Sequence, residues 1–312
     1  MKRVLIFGCC GFIGSRLSRH LRRTGWHVTG ADVARPANKI VDDFEPSNND
    51  VTRLMEIFGA PFDVSINCAG AASVPLSYED PAKDYSLNSQ LVFHILTAIR
   101  KTQPSCRFVN LSSAAVYGNP ARLPVSEREP ARPISPYGVH KHISELLCSE
   151  FRDCFGLKTT SLRVFSAYGP GLRKQLFWDL FCKARENEEI ELFGTGHETR
   201  DFIYVDDLVR AVELIIRTAP WEHPSINVAT GQETEIEDVA RVFCREFPEP
   251  RQYRFTDHAR KGDPDRWVGD IALLRNLGFE PRVSVEEGIR KYIRWAGRDA
   301  ARVKRGRYTE AA

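Results

Sequence analysis

Tyr137 and Lys141 stand four residues apart in Ser135-Pro136-Tyr137-Gly138-Val139-His140-Lys141. Ser135 suits a helix N-cap and Pro136 the first helical position. The phenol and the ammonium therefore fall on one face of the helix that follows. A nearby ammonium stabilises a phenolate and lowers the tyrosine pKa, which predicts Tyr137 as a general base near neutral pH. The spacing gains weight from Leu111-Ser112-Ser113-Ala114-Ala115-Val116-Tyr117-Gly118, which continues an apolar run over 107–111. A serine where a strand ends can hydrogen-bond a reacting hydroxyl or carbonyl, because such ends form the ligand crevice of open α/β sheets.

A second group of residues is suited to phosphate. Gly8-Cys9-Cys10-Gly11-Phe12-Ile13-Gly14 follows an apolar run over 3–7 and opens a helical pattern. Gly8 lets the chain turn sharply, Gly11 lets backbone approach a pyrophosphate, and Gly14 lets helix pack on strand. Free N–H groups and the dipole at the helix start favour anions, so the loop, with Phe12 and Ile13, is predicted to hold a dinucleotide. Asp32 lies 18 residues after Gly14, at the end of the next apolar run. A carboxylate there accepts hydrogen bonds from adenosine ribose hydroxyls and repels a 2′-phosphate, favouring NAD over NADP. Arg35, three residues on, pulls the other way.

The elements that must position these groups alternate along the first half of the chain. Apolar runs over 3–7, 27–31, 64–68, 107–111 and 159–164 read as strands, and helical patterns over 12–24, 51–58, 84–101 and 136–155 lie between them. Such alternation predicts an α/β fold, a Rossmann-type doubly wound parallel sheet. Runs apolar throughout, such as Val4-Leu5-Ile6-Phe7, suit strands buried on both sides. Past residue 170 the pattern is less regular, with a helix over 177–186, a strand over 191–193, a loop over 194–199, a strand over 202–205, and helices over 206–217 and 285–296. Residues 1–170 are expected to form the dinucleotide-binding domain with the Ser/Tyr/Lys set. Residues 171–312 are expected to form mainly a smaller C-terminal substrate-binding lobe, with some segments returning to the sheet. The basic stretch 298–307 reads as a solvated helix end.

Composition narrows the function classes. The chain has 312 residues, 42% hydrophobic and 27% charged, ordinary for a globular protein. A net charge of +3 is too even to argue for nucleic acid as a partner. No run of about 18 apolar residues predicts a membrane span. The eight cysteines form no CxxC pair and read as buried reduced thiols. The N-terminal apolar run stops in glycine and reads as a strand rather than a signal peptide, so the expected location is cytoplasmic. His140 and His142, two apart on a helix, face different ways, and no metal site is expected.

With these residues in place the chain resembles the extended short-chain dehydrogenase/reductases of the NDP-sugar epimerase/dehydratase branch. The resemblance covers nearly the whole chain. Besides the motifs above it rests on Asn67-Cys68-Ala69-Gly70, on Leu162-Arg163-Val164-Phe165-Ser166-Ala167-Tyr168-Gly169-Pro170, and on Phe193-Gly194-Thr195-Gly196-His197-Glu198-Thr199-Arg200-Asp201-Phe202-Ile203-Tyr204-Val205-Asp206-Asp207. A final stretch, Gly278-Phe279-Glu280-Pro281 to Gly288, looks like the family's C-terminal signature. The resemblance implies Ser113, Tyr137 and Lys141 as the catalytic set, Lys141 also holding the nicotinamide ribose. It implies Asp42 or Asp43 beside the adenine, Cys68, Ala69 and Gly70 along the cofactor, and Asn88 lining the crevice. Arg200 and Arg260 match arginines that bind the nucleotide diphosphate, and guanidinium forks suit phosphate oxygens. Ser166 stands where the family usually has an asparagine that holds the diphosphate or sugar.

The departures sort the activities. Ala114 and Ala115 occupy the positions where sugar 4,6-dehydratases resembling this chain carry an Asp-Glu pair. Alanines transfer no proton, and decarboxylases of the branch usually keep the second acid. The cysteine that 3,5-epimerases place here is absent. The resemblance therefore implies an NAD-dependent epimerase acting at C4 of a nucleotide-diphosphate sugar, a UDP-sugar before others, and a homodimer pairing the helices over 84–101 and 136–155. Alternatives are an NDP-4-keto-sugar reductase, a nucleotide-heptose epimerase and, more distantly, a non-catalytic dinucleotide-binding regulator.

Overall fold

The computed structural model describes residues 1–218, 221, 223–258 and 262–304. In chain order the first half contains β1 (Arg3–Phe7), α1 (Phe12–Arg23), β2 (His27–Asp32), β3 (Asp43–Pro46), α2 (Val51–Ile57), β4 (Val64–Asn67), α3 (Val74–Glu79), α4 (Pro81–Tyr85), a π-helical turn (Ser86–Gln90), α5 (Leu91–Thr102), β5 (Arg107–Ser113), a 3₁₀ turn (Ala114–Tyr117) and α6 (Pro136–Phe155). There follow β6 (Thr159–Val164), β7 (Ser166–Tyr168), α7 (Gln175–Glu186), β8 (Glu189–Leu192), β9 (Thr199–Arg200), β10 (Phe202–Tyr204), α8 (Val205–Thr218), β11 (Ser225–Val228), β12 (Thr234–Glu235), α9 (Ile236–Glu246), β13 (Gln252–Phe255), α10 (Ala272–Asn276) and α11 (Val285–Lys304).

Seven strands form one parallel sheet in the order β11-β6-β5-β4-β1-β2-β3. Strand order reverses between β1 and β4, and ligands of such sheets bind outside the carboxyl ends of the strands at that switch point. The continuous apolar run of β1 has its physical reason in two cores. Val4 and Ile6 pack into one with α1 and α8, while Leu5 and Phe7 pack into the other with α2, α5 and α6. A third apolar cluster lies apart, built from α7, β8, α9 and α11 around Tyr168, Phe177, Phe202 and Tyr292, with Tyr168 stacked on Phe177 at 4.5 Å. From this cluster the chain returns to the seven-stranded sheet over residues 205–228: α8 packs on α1, and β11 pairs with β6.

Several elements differ from expectation. The helix expected over 84–101 is interrupted by the π-helical turn at 86–90, an extra residue of a kind concentrated at functional sites. β3 was invisible in the sequence because its four residues, Asp-Phe-Glu-Pro, form an edge strand with no apolar alternation. α11 runs past the expected residue 296 because Asp299 pairs with Arg173 at 2.8 Å and Ala300 packs on the third cluster. Residues 305–307 of the basic stretch lie outside the described residues. The cysteines are all free, but only Cys9, Cys106, Cys148 and Cys244 are buried; Cys10 and Cys154 are exposed. Among the described residues no helix is long and apolar enough to cross a membrane.

Candidate active site

The glycine loop turns between β1 and α1 as its composition requires. Gly8 has φ +72°, and a Cβ there would stand 2.6 Å from the Ala69 nitrogen. A Cβ on Gly14 would stand 2.0 Å from the Gly8 carbonyl, so α1 starts hard against the turn. Gly11 is the N-cap and offers no side-chain acceptor, which leaves the first-turn amides of Phe12 and Ile13 to an external anion. The Phe12 ring itself packs toward Gly171 and Ile13 toward the sheet core, so these two contribute backbone rather than side chain.

Asp32 closes β2 beside this loop. Its Oδ2 accepts from the Cys10 amide at 2.8 Å and its Oδ1 from the Val33 amide at 2.8 Å. Asp42 and Asp43 lie elsewhere and correct the expectation that they flank the adenine. Asp43 begins β3 opposite Thr29, three residues down the ladder from Asp32. Asp42 accepts from the Val28 amide and from Arg22, both at 2.9 Å, and Asp43 pairs with His27 at 2.5 Å. The residues that do reach the crevice end of β3 are Ser47, whose amide donates to the Asp32 carbonyl at 2.9 Å, and its neighbour Asn48.

Across the switch point, β4 is followed by Cys68-Ala69-Gly70, and the π-helical turn delivers Asn88 to this segment. A Cβ on Gly70 would stand 2.6 Å from Asn88 Oδ1 and 3.5 Å from Lys141 Nζ. Asn88 is buried, and both polar atoms of its side chain have no hydrogen-bond partner among the described residues. Buried amides are rarely left so, and a polar ligand in the crevice would satisfy them. With the open glycine loop and Asp32, this fits a dinucleotide laid across the strand ends.

β5 and α6 carry the residues predicted to be catalytic. The α6 start is as expected: Ser135 Oγ accepts from the Gly138 amide at 3.2 Å, Pro136 follows, and Gly156 ends the helix at φ +71°. Glu145, one turn past Lys141, clamps the helix to the sheet. It accepts from Ser112 Oγ at 2.6 Å and pairs with Arg163 of β6 at 2.8 Å, all three buried. Burial works to raise the Glu145 carboxyl, but nearby His142 and the hydrogen bonds from Arg163 and Ser112 outweigh it and hold it below the usual range. Ser112 is thereby consumed as a strut, and Ser113 is the serine left for the crevice. Ser113 Oγ accepts from the Ala115 amide at 3.1 Å and lies close enough to Tyr137 to favour its ionised form.

Lys141 is 6% exposed and donates to the Leu111 carbonyl at 2.9 Å. Its Nζ lies 5.9 Å from the centre of the Tyr137 ring. Burial lowers the lysine to about 8 against the raising pull of Asp84. The expected depression of Tyr137 does not appear in the chain itself. Burial pushes the phenol up to about 12, Asp84 adds to this, and neighbouring Ser113 only partly opposes it. Asp84 went unnoticed in the sequence. It is buried, pairs with His140 of α6 at 2.6 Å, and sets a negative charge near both members of the dyad. Lys174, at the start of α7, was also missed; it lies within electrostatic reach of Lys141 and is held below the ordinary lysine value by desolvation.

On the far wall, Arg200 hydrogen-bonds the Thr199 carbonyl at 2.9 Å and lies 5.7 Å from the Trp267 ring. Trp267 Nε1 donates to the Gly118 carbonyl at 2.9 Å, which ties this wall to the turn that follows Ser113. Desolvation lowers the Arg200 guanidinium, opposed by Asp263, Glu198 and Asp265, and no carboxylate pairs with it within 4.0 Å among the described residues. A desolvated, unpaired guanidinium suits an incoming phosphate. Its backbone is fixed by buried Asp201, which accepts from Thr230, Gly231 and Gly269. Ser166 begins β7, beside β10, and its amide donates to the Asp201 carbonyl at 3.0 Å. Arg260 lies outside the described residues.

The chain is similar to known proteins over nearly its whole length. A putative UDP-glucose 4-epimerase of Methanocaldococcus jannaschii is 29% identical over 301 residues, covering 94% of this chain and 97% of that one. The structure of UDP-glucose 4-epimerase with UDP-glucose from Thermotoga maritima superposes with a TM-score of 0.86 at 27% identity, over 96% of this chain and 99% of that one. UDP-glucuronic acid 4-epimerase from Bacillus cereus, in complex with UDP-glucuronic acid and NAD, gives 0.85 at 25% identity, over 95% and 99%. The model of the NAD dependent epimerase/dehydratase family matches residues 4–229, from the first strand of the sheet to just past the last, and this chain belongs to that family.

Proposed function

We propose that the chain is an NAD-dependent epimerase that inverts C4 of a UDP-sugar. The observation that carries the reading is the gathering of Ser113, Tyr137 and buried Lys141 at the strand ends, with Lys141 Nζ 5.9 Å from the Tyr137 ring and the open glycine loop across the switch point. Bound NAD supplies a hydride acceptor for C4 and a positive charge beside the phenol. Tyr137 takes the proton of the sugar 4-hydroxyl, and Ser113 hydrogen-bonds the same oxygen. Lys141 orients the nicotinamide ribose and stabilises the phenolate. Once the 4-keto sugar has turned, Tyr137 would return the proton to the oxygen on C4. Asp32 accepts from the adenosine ribose, Ser47 and Asn48 border the adenine, and Cys68, Ala69, Gly70 and Asn88 line the cofactor. Arg200 clamps the diphosphate, Arg260 is matched to the same task, and Ser166 faces the sugar end. Ala114 is fully buried and Ala115 nearly so, so this turn offers no acid for eliminating water.

Two further expectations belong to the same reading. A homodimer through α5 and α6 is supported by exposed Phe93, Val139, Leu146 and Phe155 on those helices. Eight free thiols suit the reducing cytoplasm. The test is to incubate the purified protein, with no added cofactor, with UDP-, dTDP-, GDP-, CDP- and ADP-sugars and follow the anomeric protons by NMR. Interconversion of C4 epimers with retained NAD is the expected result. Silence across the panel, with turnover only of a 4-keto sugar plus added NAD(P)H, would replace the epimerase by a reductase.

A further inference from the structure

Cys9 and Cys10 fill the two positions between Gly8 and Gly11, and the proposed reaction uses neither. The turn sends their side chains by different routes. Cys9 points into the sheet core, where a Cβ on Gly30 would stand 2.7 Å from its sulfur. Cys10 is exposed, and its thiol donates to the Ala34 carbonyl at 3.0 Å. The two sulfurs nevertheless lie 3.9 Å apart, and with an Asp32 carboxylate oxygen they form a set whose ligand atoms all fall within 4.8 Å of one another. Two thiolates bound tetrahedrally to one zinc-like ion at ~2.3 Å stand about 3.8 Å apart, so the sulfurs already have the spacing such an ion demands.

We propose that Cys9, Cys10 and Asp32 form a three-ligand site for a soft divalent cation of the zinc–cadmium class, with the fourth position open to solvent, and that an ion bound there excludes the dinucleotide from the loop. The exclusion half rests on the NAD placement above, because the ion would take the carboxylate that accepts from the adenosine ribose. Spacing in the sequence does not announce the site: the acid comes 22 residues after Cys10 and is brought to it by the β1–β2 pairing. Burial, then Asp32 and the neighbouring thiol, hold Cys9 well above the ordinary thiol range, and burial and Asp32 raise Cys10. Binding therefore releases the two thiol protons to solvent as two metal–sulfur bonds form. The same surroundings disfavour oxidation, which starts from a free thiolate.

The test titrates Cd²⁺ into nucleotide-stripped protein and follows the cadmium–thiolate charge-transfer band in the ultraviolet. The expected result is one equivalent per chain, lost in Cys10→Ser and in Cys9→Ala/Cys10→Ser, and suppressed in the wild type by saturating NAD. Cys10 is exposed, so its substitution spares the fold, and the remaining cysteines serve as an internal control. Asp32→Asn should weaken uptake at least ~10-fold, the least that loss of a ligand's own hydrogen-bond partner typically costs. An undiminished band in Cys10→Ser or Asp32→Asn would overturn the site. A band lost in Cys10→Ser but indifferent to NAD would refute the exclusion and count against the dinucleotide placement instead.

Discussion

Lys141→Met should abolish turnover and yet stabilise the chain near neutral pH. Burial takes the Lys141 ammonium from 10.5 to about 8. At ~1.4 kcal/mol per tenfold change in acidity, holding that charge in the folded state costs about 3 kcal/mol at pH 7. Methionine fills similar volume without charge but deprives the Leu111 carbonyl of its donor at 2.9 Å, a loss of roughly 1–2 kcal/mol. The net gain is ~1–2 kcal/mol, or about 2–3 °C in Tm for a chain whose unfolding entropy scales with its 312 residues. The sign with pH is fixed by linkage. The folded-state value lies below the unfolded one, so between about 8 and 10.5 the unfolded chain binds more protons and wild-type stability rises with pH. From pH 7 to pH 10 the advantage of the variant should shrink by about 2.5 kcal/mol, closing or reversing. Thermal unfolding of both proteins, stripped of nucleotide, across that range is the assay. A difference in Tm that stays constant with pH would refute the reasoning, because it would mean that no buried charge was being relieved.

Other perturbations separate the remaining roles. Tyr137→Phe should lower kcat by ~10²–10⁴-fold while calorimetry still detects nucleotide-sugar binding; undiminished turnover would remove Tyr137 from the reaction. Asp84 raises both Tyr137 and Lys141, so Asp84→Asn should move the basic limb of the kcat profile to lower pH, and an unmoved limb would make the Asp84–His140 pair purely architectural. Arg200→Lys keeps the charge but loses the fork, so KM should rise roughly 10-fold with kcat little changed; equal losses in both would place Arg200 at the reacting carbon. Glu145→Gln leaves Arg163 buried without its partner and should cost about 3–5 kcal/mol in urea unfolding. Glu145 lies below its unfolded value, so its contribution is present at neutral pH and fades only as pH falls through the depressed value.

What could be read from the sequence was local. The glycine loop, Asp32 and the Ser135–Lys141 segment each carry their geometry in spacing over a few residues, and the structure keeps them together. The second half was legible as motifs but not as short strands, because β9 and β12 have two residues each and are defined only by pairing with one another. Asp42 and Asp43 show where matching by position fails. A shift of a few residues along an edge strand moves an acid from the crevice to the opposite part of the ladder, and register there is set by pairing that no local pattern records. Asp84 and Lys174 were invisible for a related reason: each acts on Lys141 from another element.

The pair Ser112-Ser113 shows how much chemistry rests on that register. Successive side chains of a strand point to opposite faces, so only one of the two serines can meet Glu145. Glu145 and Arg163 settle which, by drawing Ser112 into their buried network. A slip of one residue would put Ser113 against Glu145, turn it away from Tyr137, and bring Ala114 out of the core into the crevice. The network is thus the reason that Ser113 rather than Ser112 is left for the role proposed in the crevice, although none of its members touches the proposed substrate. It also bears on what the turn can become. Ala114 belongs to the sheet core with none of its surface exposed, and Gly138 of α6 approaches the Ala115 carbonyl so closely that a Cβ would stand 2.6 Å from it. An acid at 114 would be buried without a partner, at a cost that favours its neutral form. Converting this site to elimination chemistry therefore requires repacking the contact between the 3₁₀ turn and α6, not only exchanging two alanines.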